Sequence, residues 1–249
     1  MLSKARIKHI QSLRLGKFRK QHAQFVAEGS INVLDFISSK LRAIDVFATP
    51  EWKNRYQKEI RGISITEVNT RELSKISILK TAPEVVAVFT YPKVQKIDWQ
   101  KTSGLTLMLD DIRDPGNLGT IIRTADWFGI RTIICSEETV DAFNPKVVQA
   151  SMGSLARVEL HYERLDRIIK SKPSNIPVFG TVMNGKSIRE IEKANKAIVL
   201  IGSEAHGISN RLLKLIDEKI TIPTSSGGGA ESLNASIATA IICYEFSSK

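Results

Sequence analysis

Hydrophobic and polar residues alternate along the first hundred positions with the periods of both helices and strands. Residues 3–14 place Ile7, Ile10 and Leu13 on one face, as in an amphipathic helix. The same reasoning predicts further helices over 30–41, 51–60 and 70–76, and strands over 25–27, 46–48, 64–68 and 85–90. This alternation indicates a small α/β domain.

The polar stretch 91–103 contains a proline, has little periodicity and predicts a linker. Beyond it the pattern predicts strands over 105–109, 132–135, 177–182, 197–202 and 219–222, and helices over 117–128, 144–152, 162–171, 187–193, 209–215 and 232–246. Alternating strands and helices of this kind indicate a mainly parallel sheet covered on both faces. We therefore expect two α/β domains, residues 1–95 and 104–249.

Composition is that of an ordinary globular protein, with 42% hydrophobic and 25% charged residues among 249. No apolar run approaches the ~20 residues that span a bilayer. The basic N-terminus lacks the apolar stretch of a secretory signal, and a mitochondrial presequence is the alternative to a cytoplasmic protein.

Cys135 and Cys243 lie far apart in apolar surroundings, which predicts buried thiols rather than a disulfide. The four histidines show no metal-ligand spacing, so no metal is expected.

The net charge of +10 is concentrated in the first part of the chain. Residues 1–100 hold 18 Lys and Arg against 9 Asp and Glu, whereas residues 101–249 hold 18 against 17. A basic face attracts phosphate polymers through counterion release, and a solubilising surface is the alternative. The asymmetry favours an RNA-docking part followed by a nearly neutral chemical part.

Three segments carry the candidate chemistry: DDIRDPGNLGTIIRTADWFG (110–129), LIGSEAHGIS (200–209) and IPTSSGGGAESLNASIATAI (222–241). In the first, Asn117 can cap the following helix, and Arg123 has apolar neighbours and needs a partner such as RNA phosphate. In the second, Gly202 at a strand end allows a ligand to approach the backbone. In the third, Ser232 and Asn234 stand at a helix N-terminus, which favours anions, although simple capping is the alternative.

Together these segments resemble the three signature motifs of the SpoU (TrmH-like) RNA ribose 2'-O-methyltransferases. The resemblance implies S-adenosylmethionine as methyl donor, a homodimer, and the SPOUT fold, an α/β domain whose C-terminal segment forms a deep trefoil knot around the cofactor pocket. The N-terminal part is similar, more weakly, to the substrate-binding domain often fused to these enzymes. The residues that carry that likeness are Lys17, Arg19 and Lys20 together with FVAEG (25–29).

The resemblance also assigns roles to residues. It implies a catalytic group of Asn117, Arg123, Glu204, Ser232 and Asn234, a cofactor-binding group of Thr181, Gly202, Ile222 and Leu233, and RNA contacts by Lys17, Arg19 and Lys20. The family's proposal makes Arg123 the base, but a guanidinium pKa above ~12 favours a positioning and electrostatic role. The chain departs from the family at Ser203, at Thr224 and in the longer loop 225–230.

Other nucleotide-binding signatures are missing from the sequence. The triple glycine at 227–229 is not followed by Gly-Lys-Ser/Thr, and no G-x-G-x-x-G follows the first strand of the second domain. The resemblance predicts methyl transfer to structured RNA, with ribosomal RNA favoured because of the fused N-terminal domain. A tRNA enzyme and a non-catalytic RNA-binding assembly factor are the alternatives.

Overall fold

The structure, a computed structural model, describes residues 2–93, 95–100, 102, 104–225, 229 and 231–247. Its helices are α1 (Lys4–Ser12), α2 (Gly16–His22), α3 (Ser30–Ile37), α4 (Pro50–Arg55), α5 (Thr70–Ile76), α6 (Pro115–Trp127), α7 (Pro145–Ser151), α8 (Leu165–Ser171), α9 (Asn210–Leu213) and α10 (Ala235–Ser247). Its strands are β1 (Gln24–Glu28), β2 (Ala43–Ala48), β3 (Thr66–Glu67), β4 (Val85–Thr90), β5 (Gly104–Leu109), β6 (Thr132–Cys135), β7 (Glu159–Tyr162), β8 (Val178–Ser187), β9 (Lys196–Ile201) and β10 (Glu218–Thr221). The chain divides into two compact units.

The first unit contains Met1–Lys93 together with Asp141–Arg157. Its four-stranded sheet has the order β1-β4-β2-β3, in which β4 pairs antiparallel with β1 and β2, and β2 pairs parallel with β3. The inner strand β4 is apolar almost throughout and buried. An aromatic cluster packs beside it, with the ring of Phe25 5.6 Å from that of Phe36 and 5.7 Å from that of Phe89.

The segment Asp141–Arg157 belongs to this first unit although it follows the predicted linker by about forty residues. Helix α7 packs against β1, and the backbone N–H of Gly153 donates to Asn32 Oδ1 at 2.8 Å. A side chain at Gly153 would meet the Asp35 carboxylate at 2.2 Å, and the φ of +85° at this residue is a backbone conformation that glycine adopts freely. The expected boundary at residues 95–104 therefore omits a piece that completes the first unit.

The second unit contains Val94–Val140 and Val158–Lys249. Its six strands, in the order β10-β8-β9-β5-β6-β7, are all parallel, which confirms the predicted parallel sheet. The central strands β5 and β9 read as continuous apolar runs because both of their faces are buried. Helix α10 packs against α6. The trefoil knot implied by the resemblance stays a prediction.

Three local expectations were wrong or incomplete. No helix forms over 187–193, because β8 continues to Ser187 beside β10 and the N–H of Ile188 donates to Thr221 O at 3.0 Å. Strand β7 and helix α2 were not predicted. In each of these segments, pairing or packing with distant residues decides the conformation over weak local periodicity.

The two cysteines are free and buried, as expected, and burial raises the pKa of the Cys243 thiol to about 12. Within the described ranges, no helix has the length and apolar character needed to cross a membrane. The same residues contain no group of three or more His, Cys, Asp or Glu side chains arranged to hold a metal ion.

Candidate active site

A five-residue segment, 110–114, connects the end of β5 to the start of α6, and the cap of this helix leaves Asn117 available for other contacts. The Asp114 carboxylate accepts the N–H of Asn117 at 2.8 Å, and Pro115 occupies the first turn, where its missing N–H costs nothing. The expectation that Asn117 caps this helix was therefore wrong. Because Asp114 serves as the cap, the Asn117 amide can bond to residues from other parts of the second unit.

A tight turn follows β9 and fixes Glu204. Ser203 and Gly207 form a two-residue bridge, with N–H to O distances of 3.2 and 2.8 Å. A side chain at Gly202 would come within 2.1 Å of the Gly207 carbonyl carbon, so the backbone can close here only with glycine. The buried Asp110, which sequence reasoning missed, anchors the far end of the turn by accepting the Ser209 N–H at 2.8 Å.

Asn234 precedes α10 and uses both ends of its amide. Its Oδ1 accepts the N–H groups of Ser236 at 3.0 Å and Ile237 at 3.3 Å, so the capping alternative is correct for this residue. Its Nδ2 points away from α10 and donates to side chains of the other two segments. Asn234 therefore joins the start of α10 to the rest of the site.

The three side chains meet in one hydrogen-bonded cluster, which we call the Asn–Glu–Asn cluster (Asn117, Glu204, Asn234). Glu204 Oε1 accepts from Asn117 Nδ2 at 3.2 Å, from Asn234 Nδ2 at 2.6 Å and from the Ala235 N–H at 3.1 Å. Asn234 Nδ2 also donates to Asn117 Oδ1 at 2.9 Å. These contacts bring together residues from all three sequence segments and fix the Glu204 carboxylate in place.

A cleft of about 250 Å³ opens beside the cluster. It is lined by Asp111, Ile112, Arg113, Asp114, Asn117, Ser203, Glu204, Ala205, His206 and Ala235. The cleft lies at the carboxyl ends of the adjacent parallel strands β5 and β9, where α/β sheets usually bind ligands.

The structure does not bring Arg123 and Ser232 into this cleft. Arg123 is exposed on α6, six positions after Asn117, which turns it well away from the Asn117 side of the helix. Within the described part of the chain it has no hydrogen-bond or ion-pair partner. Ser232 is exposed just before α10. The cluster and the arginine thus occupy separate positions within this chain.

Of the predicted cofactor residues, Thr181 lies within β8, Gly202 and Ile222 directly follow the ends of β9 and β10, and Leu233 precedes α10. Together they offer both polar and apolar surface. Thr181 Oγ1 donates to Leu200 O at 3.1 Å and keeps lone pairs for accepting bonds. Leu233 is 46% exposed and Met183 is 60% exposed, so apolar surface is available for a ring system. Gly202 and Ile222 are half-buried. Thr224 is exposed, whereas Ser226–Gly228 and Ala230 of the longer loop lie outside the described residues.

The three basic residues predicted to contact RNA separate into two kinds. Lys17 and Lys20 are exposed, but Arg19 is only 3% exposed. Arg19 donates to Asp141 Oδ2 at 2.7 and 2.9 Å and to the carbonyl oxygens of Leu13 and Arg14. Its guanidinium is therefore saturated inside the first unit, and the expectation that Arg19 contacts RNA is not supported by its position.

Comparison with known protein families finds a match for each of two regions of the chain. Residues 104–244 match the SpoU rRNA Methylase family, and residues 4–87 match the MRM3-like substrate binding domain. The chain belongs to the SpoU rRNA methylase family. The SpoU region contains the whole Asn–Glu–Asn cluster, and the substrate-binding region contains Lys17 and Lys20.

Relatives of this SpoU-family chain are similar over nearly its full length. The 23S rRNA (guanosine(2553)-2'-O)-methyltransferase RlmP of Bacillus subtilis is 29% identical, covering 96% of this chain and 94% of its own. An AdoMet-bound rRNA methyltransferase from Sinorhizobium meliloti is 30% identical, with a TM-score of 0.87 and coverage of 99% and 95%. A TrmH-family protein from Porphyromonas gingivalis is 37% identical, with a TM-score of 0.86 and coverage of 99% and 98%.

Proposed function

We propose that this SpoU-family protein transfers a methyl group from S-adenosylmethionine to a ribose 2'-hydroxyl of ribosomal RNA. The Asn–Glu–Asn cluster carries the proposal, because it assembles the three motifs of the family into one site. The full-length similarity to an rRNA ribose methyltransferase and to an AdoMet-bound rRNA methyltransferase supports it.

When bound, S-adenosylmethionine supplies a methyl group that its sulfonium already activates. The protein's task is therefore to hold the donor, align a ribose hydroxyl with it and allow the hydroxyl proton to leave. We assign the donor site to Thr181, Gly202, Ile222 and Leu233, with Ser232 and the Asn–Glu–Asn cluster beside the reacting hydroxyl. A cluster whose members hold one another needs little reorganisation during the reaction.

We assign Arg123 to a phosphate contact across a homodimer interface. Arg123 and Trp127 stand one helical turn apart on α6, and Trp127 is 85% exposed. On α10, which packs against α6, Ile237 and Tyr244 are 51% and 63% exposed on one face. Exposed apolar side chains grouped on two packed helices are typical of a protein interface. A partner placed there could present its Arg123 to this protomer's cluster.

A mixed dimer tests that assignment. Arg123→Ala and Asn234→Asp each remove one half of a shared site. If Arg123 acts across the interface, a dimer of one variant with the other contains one intact site and regains about half of the wild-type activity. If Arg123 acts within its own protomer, both sites stay defective and mixing restores nothing. Sedimentation of Trp127→Glu checks the interface itself, because a buried charge should favour monomers.

Substrate and reaction are tested together by methyl transfer from labelled S-adenosylmethionine. Ribosomal RNA and tRNA lacking the modification are supplied separately, and 2'-O-methyl positions are mapped. We expect one ribosomal site, consistent with a protein that works in the cytoplasm. Methylation of a tRNA site would agree with the proposed reaction but contradict the proposed substrate. Binding of RNA without any transfer would favour the non-catalytic assembly factor.

A further inference from the structure

His206 lines the cleft, and neither the family motif nor the cluster explains its role. It is exposed and lines the same 250 Å³ cleft as Asn117 and Glu204. Its backbone N–H donates to Ser203 Oγ at 3.3 Å, within the turn that the Ser203–Gly207 bridge closes. The turn therefore holds Glu204 and His206 in a fixed relation, two residues apart.

Most other charged groups of the cleft are already engaged. Glu204 Oε1 accepts three hydrogen bonds, and the Asp114 carboxylate caps α6. Asp111 accepts from Arg113 at 2.6 Å, and that arginine has no lone pair with which to accept a proton. The charged and titratable groups that face His206 across the cleft are Asp111, Arg113, Asp114 and Glu204. His206 contributes an imidazole to the cleft, and imidazole is the side chain best suited to exchange protons near neutral pH.

We propose that His206 accepts the proton of the attacking ribose hydroxyl, an inference that rests on the proposed function. The hydroxyl oxygen forms a bond to the methyl carbon, and the carbon–sulfur bond breaks with its electron pair going to sulfur. The hydroxyl proton passes to the free lone pair of the imidazole, and the resulting imidazolium returns it to water. Arg123 then acts only on the phosphate, which removes the need for a guanidinium base.

The first test compares the wild type with His206→Asn and His206→Gln in single-turnover methyl transfer between pH 5.5 and 9. Both variants keep a polar side chain but cannot accept the proton. We expect the wild-type rate to rise with pH and then level off, because only the neutral imidazole can accept the proton. The variants should be about 100-fold slower at the plateau and lack that step. His22→Asn, an exposed histidine of the first unit, is the control and should match the wild type.

Two further readouts do not depend on turnover. The variants should bind RNA and S-adenosylmethionine within about two-fold of the wild type, since the cluster is unchanged. In the free protein, the ring signal that disappears in His206→Asn should titrate by NMR over the same pH interval as the wild-type rate. Added imidazole should partly restore a His206→Gly variant.

The outcomes separate the two proposals. A variant with the wild-type rate, or a slower one that keeps the pH step, would overturn the role of His206 and leave the methyl transfer intact. A ring signal that titrates outside the interval of the rate would also overturn it. A wild-type protein that transfers no methyl group at all would instead overturn the proposed function.

Discussion

Two arginines stand in basic or amphipathic helices of this chain, and the structure gives them opposite surroundings. Arg19 in α2 is buried and bound to Asp141, Leu13 and Arg14. Arg123 in α6 is exposed. On the sequence alone, both arginines are candidates to bind an RNA phosphate. Their difference shows that a positive charge indicates an RNA contact only when its surroundings leave the guanidinium available.

Helix geometry explains why the basic stretch of α2 misleads. Lys17 and Lys20 are three positions apart and share a face of the helix, whereas Arg19 lies about 100° from Lys20. That rotation carries Arg19 inward to a carboxylate supplied by Asp141, more than a hundred residues away in the chain. Half-buried Tyr91 lies beside the pair, and its partial burial together with the nearby Asp141 carboxylate raises its pKa to about 12.

Among the changes considered, we expect Arg19→Leu to have the strongest consequence, a loss of stability. This change leaves the Asp141 carboxylate and two carbonyl groups without their donor, and we expect it to lower the free energy of unfolding by roughly 3 kcal/mol. Asp141→Asn should cost less, because its amide oxygen can still accept a hydrogen bond from the Arg19 guanidinium. Denaturant unfolding of both variants and of the double variant measures the coupling. Unchanged stability in Arg19→Leu would contradict the structural role of Arg19.

The next effect is on catalysis, from Asn234→Asp. The aspartate can still cap α10 through its carboxylate, but it loses the two Nδ2 donations and faces Glu204 with a like charge. We expect methyl transfer to fall by about 100-fold, the size of effect that small displacements in active sites produce. Asn234→Ser, which also caps without donating to both partners, controls for the added charge. Full activity in both would remove the cluster from the mechanism.

The smallest effect concerns the exposed lysines of α2. Replacing Lys17 and Lys20 by Gln should weaken RNA binding and reduce the slope of log affinity against log salt by about two, if each lysine neutralises one phosphate. Fluorescence anisotropy across a salt series measures this slope. An unchanged slope would place the RNA contact on another surface of the protein.

The fold of the second unit was largely predictable because its signals are local. Strands such as β5 and β9 are continuous apolar runs, and the glycine and proline residues around Pro115 and Gly202 mark the strand ends. The region 187–193 was mistaken for a helix because Ile188 and Ile191 have helical spacing, while a backbone bond to Thr221 decides its conformation. Such pairings across the sheet leave little trace in the local sequence.

The site was predictable as a set of residues but not as an arrangement. The resemblance to the family's motifs points to Asn117, Glu204 and Asn234, yet it does not show that Asp114 takes the capping role and frees Asn117. Nor does it show that Asp141 belongs with the first unit, since that requires contacts over more than a hundred residues. The sequence indicates which residues have the chemistry of a site, whereas the fold decides which partner each charged side chain binds.

We propose that Arg123 serves the reaction, whereas the contacts of Arg19 give it a structural role. The most direct test is Arg123→Ala, measured for both its melting temperature and its single-turnover rate of methyl transfer to ribosomal RNA. The claim predicts a melting temperature equal to that of the wild type and a rate lower by about 100-fold, comparable to the loss of an electrostatic contact in an active site. A variant that transfers methyl groups at the wild-type rate would contradict it.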